Sequence, residues 1–286
     1  MKTLAIIQAR MGSSRLPGKV LLELAGKPMI QHVIEQTQRA AQLDSILIAT
    51  TTDESDRPVA DFAAAMGIPH FRGSLHDVLD RYYQAARAHQ PDIIVRITAD
   101  CPLIDPGIID QTISLLTAER SPSIDFACNR LPPPFGRSFP IGLDVEACTF
   151  SALERAWKES TATFHREHVM PFIYEGTQFE TQVTGHKSNA PQPVTYNSTK
   201  GLSQRGFHIA QLHHRPDYGS LRWTVDTPED LKFIRAIFAR LSDKPQFTWY
   251  DVLEIVQKEP ELAEINAGIR HKTMTEIDER SKEERR

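Results

Sequence analysis

Cysteine is scarce in this sequence of 286 residues, which contains three: Cys101, Cys128 and Cys148. Their spacing is not that of zinc ligands, and an odd number does not suit a framework of paired disulfides, so we expect a reducing compartment. Long apolar runs are also missing: none approaches the roughly 18 residues that a membrane-spanning helix needs, and the amino-terminal apolar stretch is too short for a signal peptide. These absences predict a soluble, cytoplasmic protein with no membrane partner.

An excess of basic residues is missing as well. The sequence has 33 lysines and arginines against 37 aspartates and glutamates, and its formal net charge at pH 7 is -4. Because non-specific nucleic-acid binding depends on neutralising many phosphates, we expect no nucleic-acid partner. Any basic feature with a function should therefore be local.

Apolar runs and helical patterns alternate over the first 120 residues. Residues 4–9, 45–53 and 92–102 form apolar runs without polar alternation, which is typical of parallel strands covered on both faces. Helical patterns separate them, and a further short strand is expected at the sequence HFRGS; the predicted helices are 28–43, 57–67, 76–89 and 106–119. This order predicts an α/β fold, a doubly wound and mostly parallel sheet, in which ligands bind beyond the carboxyl ends of the strands.

The alternation weakens from about residue 120 to 220, where prolines, glycines and polar residues are frequent. We expect a smaller antiparallel excursion here, with helices at 150–160 and 163–176. The segment LRWTVDTPEDLKFIR then predicts a return to strand, turn and helix. The whole pattern suits a single domain over residues 1–270, followed by a charged tail at 271–286.

The loop QARMGSSRLPGK, residues 8–19, follows the first predicted strand and precedes the first helix. It is not a P-loop, because Gly12 and Gly18 are one residue too far apart and Val20 stands where a metal-binding hydroxyl belongs. It does not match the dinucleotide-binding glycine pattern either. A loop in this position commonly binds phosphate, and its basic and hydroxyl side chains suit a triphosphate: Arg10, Ser13, Ser14, Arg15 and Lys19. The alternative is an ordinary solvated turn.

The sequence QARMGSSRLPGKVL resembles the nucleotide-binding loop of the cytidylyltransferases that activate sugar acids, the CMP-Kdo and CMP-sialate synthetases. It is similar in particular to their relatives called spore coat polysaccharide biosynthesis protein SpsF. The resemblance covers about residues 3–270, and further motifs occur in the family's order: FRGSLHDVLDRYYQAA, VRITADCPLIDP, FPIGLDVEA, REHVMPFIY and LRWTVDTPEDLKFIR.

This resemblance implies a nucleotide-diphospho-sugar transferase (GT-A-like) fold and a homodimer. It implies transfer of CMP from CTP to a Kdo- or nonulosonate-like sugar acid, with release of pyrophosphate, for surface polysaccharide biosynthesis. The implied cofactor is Mg2+, a hard cation that takes oxygen ligands. The segment TADCP differs from its counterpart in the Kdo enzymes, so the identity of the acceptor cannot be carried over.

The resemblance also implies roles for individual residues. Arg10, Lys19 and Asp100 would be catalytic, and Asp100 and Asp226 would bind the metal. The nucleotide would contact Ala9, Arg10, Gly12, Ser13, Ser14, Arg15, Lys19, Arg72, Ser74, Asp77 and Arg81. The acceptor would contact Asn129, Asp144, Glu146, Arg166 and His168, in the excursion at about 120–220, and Arg130 and Glu167 have suitable chemistry too.

Structural alternatives remain open for several of these residues. Asp226 and Asp77 could cap the helices that follow them, and Arg81 could pair with a neighbouring carboxylate. The acceptor-side residues could instead form a dimer contact. The pair His213–His214 suggests zinc, but it lacks a second spaced pair of ligands.

Two other functions compete with nucleotidyl transfer. A GT-A-type glycosyltransferase would use an intact nucleotide sugar, but it usually carries an Asp-x-Asp triplet, whose nearest match here is Asp144-Val145-Glu146. A non-catalytic nucleotide-binding protein would have no chemical need for Arg10, Lys19, Asp100 and Asp226 together.

Overall fold

The computed structural model describes residues 1–118, 123–133, 135–180, 184–187 and 195–270. Its strands are β1 (Thr3–Gln8), β2 (Glu23–Leu24), β3 (Lys27–Pro28), β4 (Ser45–Thr51), β5 (His70–Gly73), β6 (Ile93–Thr98), β7 (Phe126–Cys128), β8 (Glu146–Thr149), β9 (Gln178–Phe179), β10 (Thr184–Lys187), β11 (Thr195–Leu202) and β12 (His208–His214). Its helices are α1 (Met29–Gln38), α2 (Arg57–Ala65), α3 (Val78–His89), α4 (Pro106–Thr117), α5 (Phe150–Glu159), α6 (Thr163–His168), α7 (Pro171–Tyr174), α8 (Pro228–Arg240), α9 (Trp249–Lys258) and α10 (Glu261–Glu264). The predicted tail at 271–286 lies outside the described residues.

Ten of the strands form one mixed sheet, in the order β10-β11-β12-β7-β8-β6-β1-β4-β5, with β9 paired to β11. Strands β6, β1, β4 and β5 run parallel to one another, as the apolar runs predict. Strand β8 is antiparallel to both β6 and β7, and β11 is antiparallel to β12. The predicted α/β fold with a smaller antiparallel excursion is confirmed.

The two faces of the sheet carry separate apolar cores, because successive side chains of a strand point to opposite faces. In β1, Ala5 and Ile7 belong to one core, with residues of α1, α4, α8 and α9. Leu4 and Ile6 belong to the other, with residues of α3, α5 and α7. Coverage on both sides explains the continuous apolar character of these strands.

The segment LRWTV does not form the strand that its sequence predicts. Strand β8 already pairs with the edge of β6 where a further parallel strand would add. The segment is instead joined to its surroundings by an isolated bridge between Arg222 and Ile141, and the N–H of Val225 donates to the carbonyl of Asp100 at 2.8 Å. This contact still brings Asp226 next to the end of β6.

The predicted helix at 163–176 is broken into α6 and α7. Proline 171 has no N–H to donate back into α6, so it begins a new helix instead. Between the helices Val169 has a φ of 73°, and the N–H of Met170 donates to the carbonyl of His168 at 2.9 Å. This tight turn leaves the end of α6 beside the carboxyl edge of the sheet.

Candidate active site

The loop after β1 is closed by its own backbone. The N–H of Gly18 donates to the carbonyl of Met11 at 2.8 Å, and Gly18 has a φ of 69°, a left-handed conformation that favours glycine. The hydroxyl of Ser13 accepts a hydrogen bond from the N–H of Leu16 at 3.2 Å. A short helical turn then starts at Lys19 and directs its side chain into the protein.

Lys19 joins the two aspartates that the sequence singled out. Its ammonium group donates to Asp100 Oδ2 at 2.7 Å, to Asp226 Oδ1 at 2.8 Å and to the carbonyl of Val225 at 2.7 Å. The Lys19 side chain is 10% exposed, and those of Asp100 and Asp226 are 26% and 20% exposed. Burial by itself would lower the pKa of Lys19, but the two carboxylates outweigh it and raise the pKa. Lys19 therefore stays charged.

Asp226 is surrounded by three cations. Besides Lys19, its carboxylate contacts the guanidinium groups of Arg222 at 2.8 Å and Arg15 at 3.1 Å. Burial would raise the pKa of Asp226, but these positive charges, above all Lys19, lower it far below its ordinary value. The residue that caps α8 is Thr227, which forms a capping box with Asp230, so the side chain of Asp226 is not the cap.

A cavity of about 390 Å³ opens beside this cluster at the carboxyl edge of the sheet. Eleven of the residues predicted from the sequence line it: Arg10, Gly12, Ser13, Ser14, Arg15, Lys19, Asp100, Asp144, Glu146, His168 and Asp226. The structure thus brings the basic loop, the aspartate pair and part of the predicted acceptor side together.

The remaining predicted nucleotide residues lie outside the lining of this cavity. Arg72 Nε donates to the carbonyl of Thr51 at 2.9 Å and so braces the loop after β4. Asp77 caps α3, Ser74 accepts the N–H of Asp77, and the buried Arg81 donates to the carbonyl of Ser74 at 2.6 Å. Ala9 is buried, with its N–H donating to the carbonyl of Ala49. Their role in nucleotide binding stays a prediction.

Two predicted acceptor residues also make structural contacts away from the cavity. Asn129 is fully buried, donates to the carbonyl of Leu143 at 2.6 Å and accepts the N–H of Val145 at 2.9 Å. Arg166 Nε donates to Asp77 at 2.8 Å, which ties α6 to α3. These two residues support neighbours of the site rather than lining it.

The sequence reasoning missed several residues that line the cavity. Arg96 lies in β6, where its guanidinium donates to Glu146 at 2.6 Å and to the side-chain oxygen of Gln8 at 3.3 Å. The sequence reasoning also missed Thr98, Tyr174 and Thr224, which line the cavity. Arg130 and Glu167, which the sequence had suggested for the acceptor, line it as well. The available signal was an arginine inside DIIVRIT, an otherwise apolar run where a charge needs a partner.

In the part of the chain that the structure describes, no cluster of three or more His, Cys, Asp or Glu side chains is placed to hold a metal ion. A metal ion bound there would therefore have at most a pair of these side chains as ligands. His213 is hydrogen-bonded to Thr199 at 2.9 Å, and His214 to the carbonyl of Pro216 at 2.7 Å.

No helix among the described residues is both long and apolar enough to cross a membrane.

Comparison with known proteins identifies the family. The cytidylyltransferase family model matches residues 4–237. The chain is 27% identical over 264 residues to the spore coat polysaccharide biosynthesis protein SpsF of Bacillus subtilis, covering 91% of this chain and 96% of that protein. It is 43% identical over 247 residues to a 3-deoxy-manno-octulosonate cytidylyltransferase of Anaeromyxobacter dehalogenans, covering 82% and 96%.

A solved structure of a cytidylyltransferase from Leptospira borgpetersenii is similar over nearly the whole fold. The TM-score is 0.76 with 29% sequence identity, and the match covers 95% of this chain and all of that one. The family model, the relatives and this structure agree with the resemblance carried by the sequence motifs. The chain therefore belongs to the cytidylyltransferase family, a family of nucleotidyltransferases.

Proposed function

We propose that this protein transfers CMP from CTP to the hydroxyl of a sugar acid and releases pyrophosphate. One observation carries the proposal: Lys19 holds Asp100 and Asp226 together at the wall of a cavity that Arg10 and Arg15 also line. This arrangement provides cations for a triphosphate and carboxylates for a divalent metal at one point. The names of the relatives support the nucleotide and the class of acceptor.

The loop cations would act on the leaving group. As the bond from the α-phosphorus to the bridging oxygen breaks, negative charge moves onto pyrophosphate. Arg10 lines the cavity, and Arg15 and Lys19 are already oriented there by their ion pairs, so these cations need little rearrangement to stabilise that charge. Stabilisation that increases as the bond breaks lowers the barrier instead of only tightening binding.

The carboxylates of Asp100 and Asp226 fit Mg2+. They are hard oxygen donors, and because Lys19 holds one oxygen of each, the two carboxylates lie close together. Two carboxylates with substrate oxygens and water are a usual ligand set for Mg2+. When bound there, the ion would supply a Lewis acid for the phosphate oxygens. Arg15 and Arg222 keep Asp226 ionised and oriented for that task.

The acceptor would enter from the side of the cavity opposite the loop. Glu146, Glu167 and His168 line the cavity outside the loop and can bind several hydroxyl groups. His168 is a candidate base for the attacking hydroxyl. We also propose, from the resemblance, that the protein is a homodimer in the cytoplasm.

Pyrophosphate release tests the proposed function directly. The protein would be incubated with Mg2+, each of the four nucleoside triphosphates, and a panel of eight- and nine-carbon sugar acids. We expect pyrophosphate with CTP only, and only when a suitable acid is present, with the matching CMP-sugar detected by mass spectrometry. No release with any pair, together with tight binding of an intact nucleotide sugar, would refute the proposal in favour of glycosyl transfer.

A further inference from the structure

Asp230, in the first turn of α8, is the centre of a buried hydrogen-bond network behind Asp226. Its side chain is completely buried and accepts from both Nε and Nη2 of Arg222, at 2.8 and 2.9 Å. The same carboxylate accepts the backbone N–H groups of Asp226, at 3.0 Å, and Thr227, at 3.1 Å. Asp230 therefore fixes both the main chain at Asp226 and the arginine beside it.

Arg222 extends this network to the side chain of Asp226. Its Nη2 donates to Asp226 Oδ2 at 2.8 Å, while the other carboxylate oxygen, Oδ1, accepts from Lys19. The carboxylate of Asp226 is thus held from behind by Arg222 and from the cavity side of the loop by Lys19. Hydrogen bonds to a carboxylate from groups outside the site are the usual way in which a protein orients a metal ligand.

Asn266 joins this network from the carboxy-terminal segment of the described chain. It lies just after α10, is 3% exposed, and follows Asp230 by 36 residues. Its Nδ2 donates to Asp230 Oδ1 at 2.9 Å and to the backbone carbonyl of Arg222 at 3.0 Å. One amide therefore holds the main chain of Arg222 together with the carboxylate that receives the Arg222 guanidinium. Asn266 lies beyond residues 4–237, the part of the chain that the family model matches.

Attachment of the carboxy-terminal segment does not by itself account for Asn266. Leu262 of α10 is buried in the apolar core, and Ile265 packs against the same core. These side chains attach the segment without burying a polar group, whereas burial of an amide is unfavourable unless its hydrogen bonds are made. Both hydrogen bonds of the Asn266 amide nitrogen go to the Arg222–Asp230 pair. This choice of partners indicates a role in the network.

We infer that Asn266 is a positioning residue for Asp226: through Arg222 and Asp230 it holds this carboxylate in the orientation that binds a divalent cation together with Asp100. The inference rests on the proposed function, which supplies the metal site, and it adds the carboxy-terminal segment to the residues that assemble that site. Asn266 is not part of the cavity lining, so its loss would leave every proposed ligand in place. Outer partners of metal ligands typically contribute about 10- to 100-fold to metal affinity or activity.

Binding of CTP as a function of Mg2+ concentration tests the metal site without turnover. Isothermal titration calorimetry would give the Kd of CTP at a series of free Mg2+ concentrations, with no acceptor present. The proteins would be the wild type, Asn266→Leu, which keeps the volume and removes the amide, Asn266→Ala and Leu262→Ala. Leu262→Ala is the matched control, because it weakens the packing of the same segment without touching the network. Urea unfolding would establish that each variant is folded in the assay.

In the wild type, Mg2+ should tighten the binding of CTP, because phosphate oxygens and the two carboxylates would share one ion. Both Asn266 variants should need about 10- to 100-fold more Mg2+ to reach half of this effect. Their Kd for CTP without Mg2+ should match the wild type, because the cations of the loop are unchanged. Leu262→Ala should unfold at a lower urea concentration and still keep the wild-type response to Mg2+.

Pyrophosphate release gives a second readout of the same shift. With an acceptor present, the Mg2+ concentration for half-maximal rate should rise in the Asn266 variants by the same factor as in the binding experiment. Excess Mg2+ should then restore most of the turnover, because the groups that touch the substrates remain. Loss of turnover that no Mg2+ concentration restores would contradict a role limited to positioning the metal ligand.

The outcomes separate this inference from the proposed function. A Mg2+ response in Asn266→Leu equal to that of the wild type, or an equal shift in Leu262→Ala, would overturn the assignment of Asn266. If Asn266→Leu does not fold, Asn266→Ala decides in the same way. Binding of CTP to the wild type that ignores Mg2+ would also overturn it. Absence of acid-dependent pyrophosphate release, with Mg2+-dependent binding of CTP intact, would instead overturn the proposed function and leave the assignment of Asn266 to the binding data.

Discussion

Replacing Lys19 with methionine removes one positive charge from between two carboxylates and keeps most of the aliphatic side chain. In the structure this charge lies 2.7 Å from Asp100 and 2.8 Å from Asp226. The variant therefore leaves two carboxylates close together with less compensation. Asp226 retains Arg15 and Arg222, whereas Asp100 loses its one ion pair within the described residues.

The expected effects on stability and on turnover differ in size. Breaking a buried ion pair costs about 3–5 kcal/mol, and partial exposure of both aspartates together with the remaining arginines should reduce the loss to about 1–3 kcal/mol. Turnover should fall about 100- to 1000-fold, the usual result of removing one group that stabilises developing negative charge. The fold should survive, since a domain of this size keeps several kcal/mol of stability.

Magnesium gives this prediction a second readout. Without Lys19, the repulsion between Asp100 and Asp226 is relieved by a divalent cation, so Mg2+ should stabilise Lys19→Met against urea more than it stabilises the wild type. Urea unfolding with and without Mg2+ and steady-state pyrophosphate release are the assays. Lys232→Met, an exposed change on α8, is the matched control and should leave both unchanged.

Two results would refute the reasoning. Turnover of Lys19→Met at the wild-type rate would remove Lys19 from the mechanism. Equal stabilisation of variant and wild type by Mg2+ would show that Lys19 and the metal do not share the same pair of carboxylates.

Three further changes probe other parts of the molecule. Asp100→Asn should abolish turnover and weaken its dependence on Mg2+; an unchanged metal response would exclude Asp100 as a ligand. Arg222→Met should lower the free energy of unfolding by about 3–5 kcal/mol, because Asp230 is completely buried and loses its 2.8 Å partner; urea unfolding showing a loss below about 1 kcal/mol would contradict this. Burial lowers the pKa of His214 below its ordinary value of about 6.5, so as the pH falls the imidazole is protonated in the unfolded chain before it is protonated in the folded protein. The contribution of the neutral His214 to stability is therefore complete above about pH 6.5 and declines as the pH falls below that value. His214→Phe should flatten the fall in unfolding free energy as the pH decreases below about 6.5, and slopes equal to the wild type would refute the assignment.

The parallel half of the sheet could be predicted because its signals are local. Apolar runs, the glycine and proline positions and the helical periodicity each depend on neighbours within about ten residues. The structure of the segment LRWTV could not be predicted in this way. Whether it forms a strand depends on β8, a distant part of the chain that already pairs with the edge of β6. The break at Val169 was signalled by Pro171, but the turn that accommodates it was not.

The site divides in a similar way. Motifs located the basic loop and both aspartates, and Lys19 does meet them. The same motifs did not separate residues that face the cavity from those that support it, such as Arg72 and Asn129, whose partners are backbone carbonyls 21 and 14 residues away. Arg96, which does line the cavity, was missed because its partner Glu146 is 50 residues distant and no local pattern links the two.

The sequence by itself therefore determined the class of fold, the family and the chemical groups available for phosphate and metal, because these follow from residue type and short-range periodicity. Only the tertiary structure decided which charges neutralise one another and which remain for a ligand. Lys19 compensates Asp100 and Asp226, and Arg96 compensates Glu146. The physical reason is that pairing depends on distances of a few ångströms between side chains that come from distant parts of the chain: the loop after β1, strands β6 and β8, and the segment before α8. Spacing along the chain does not set those distances.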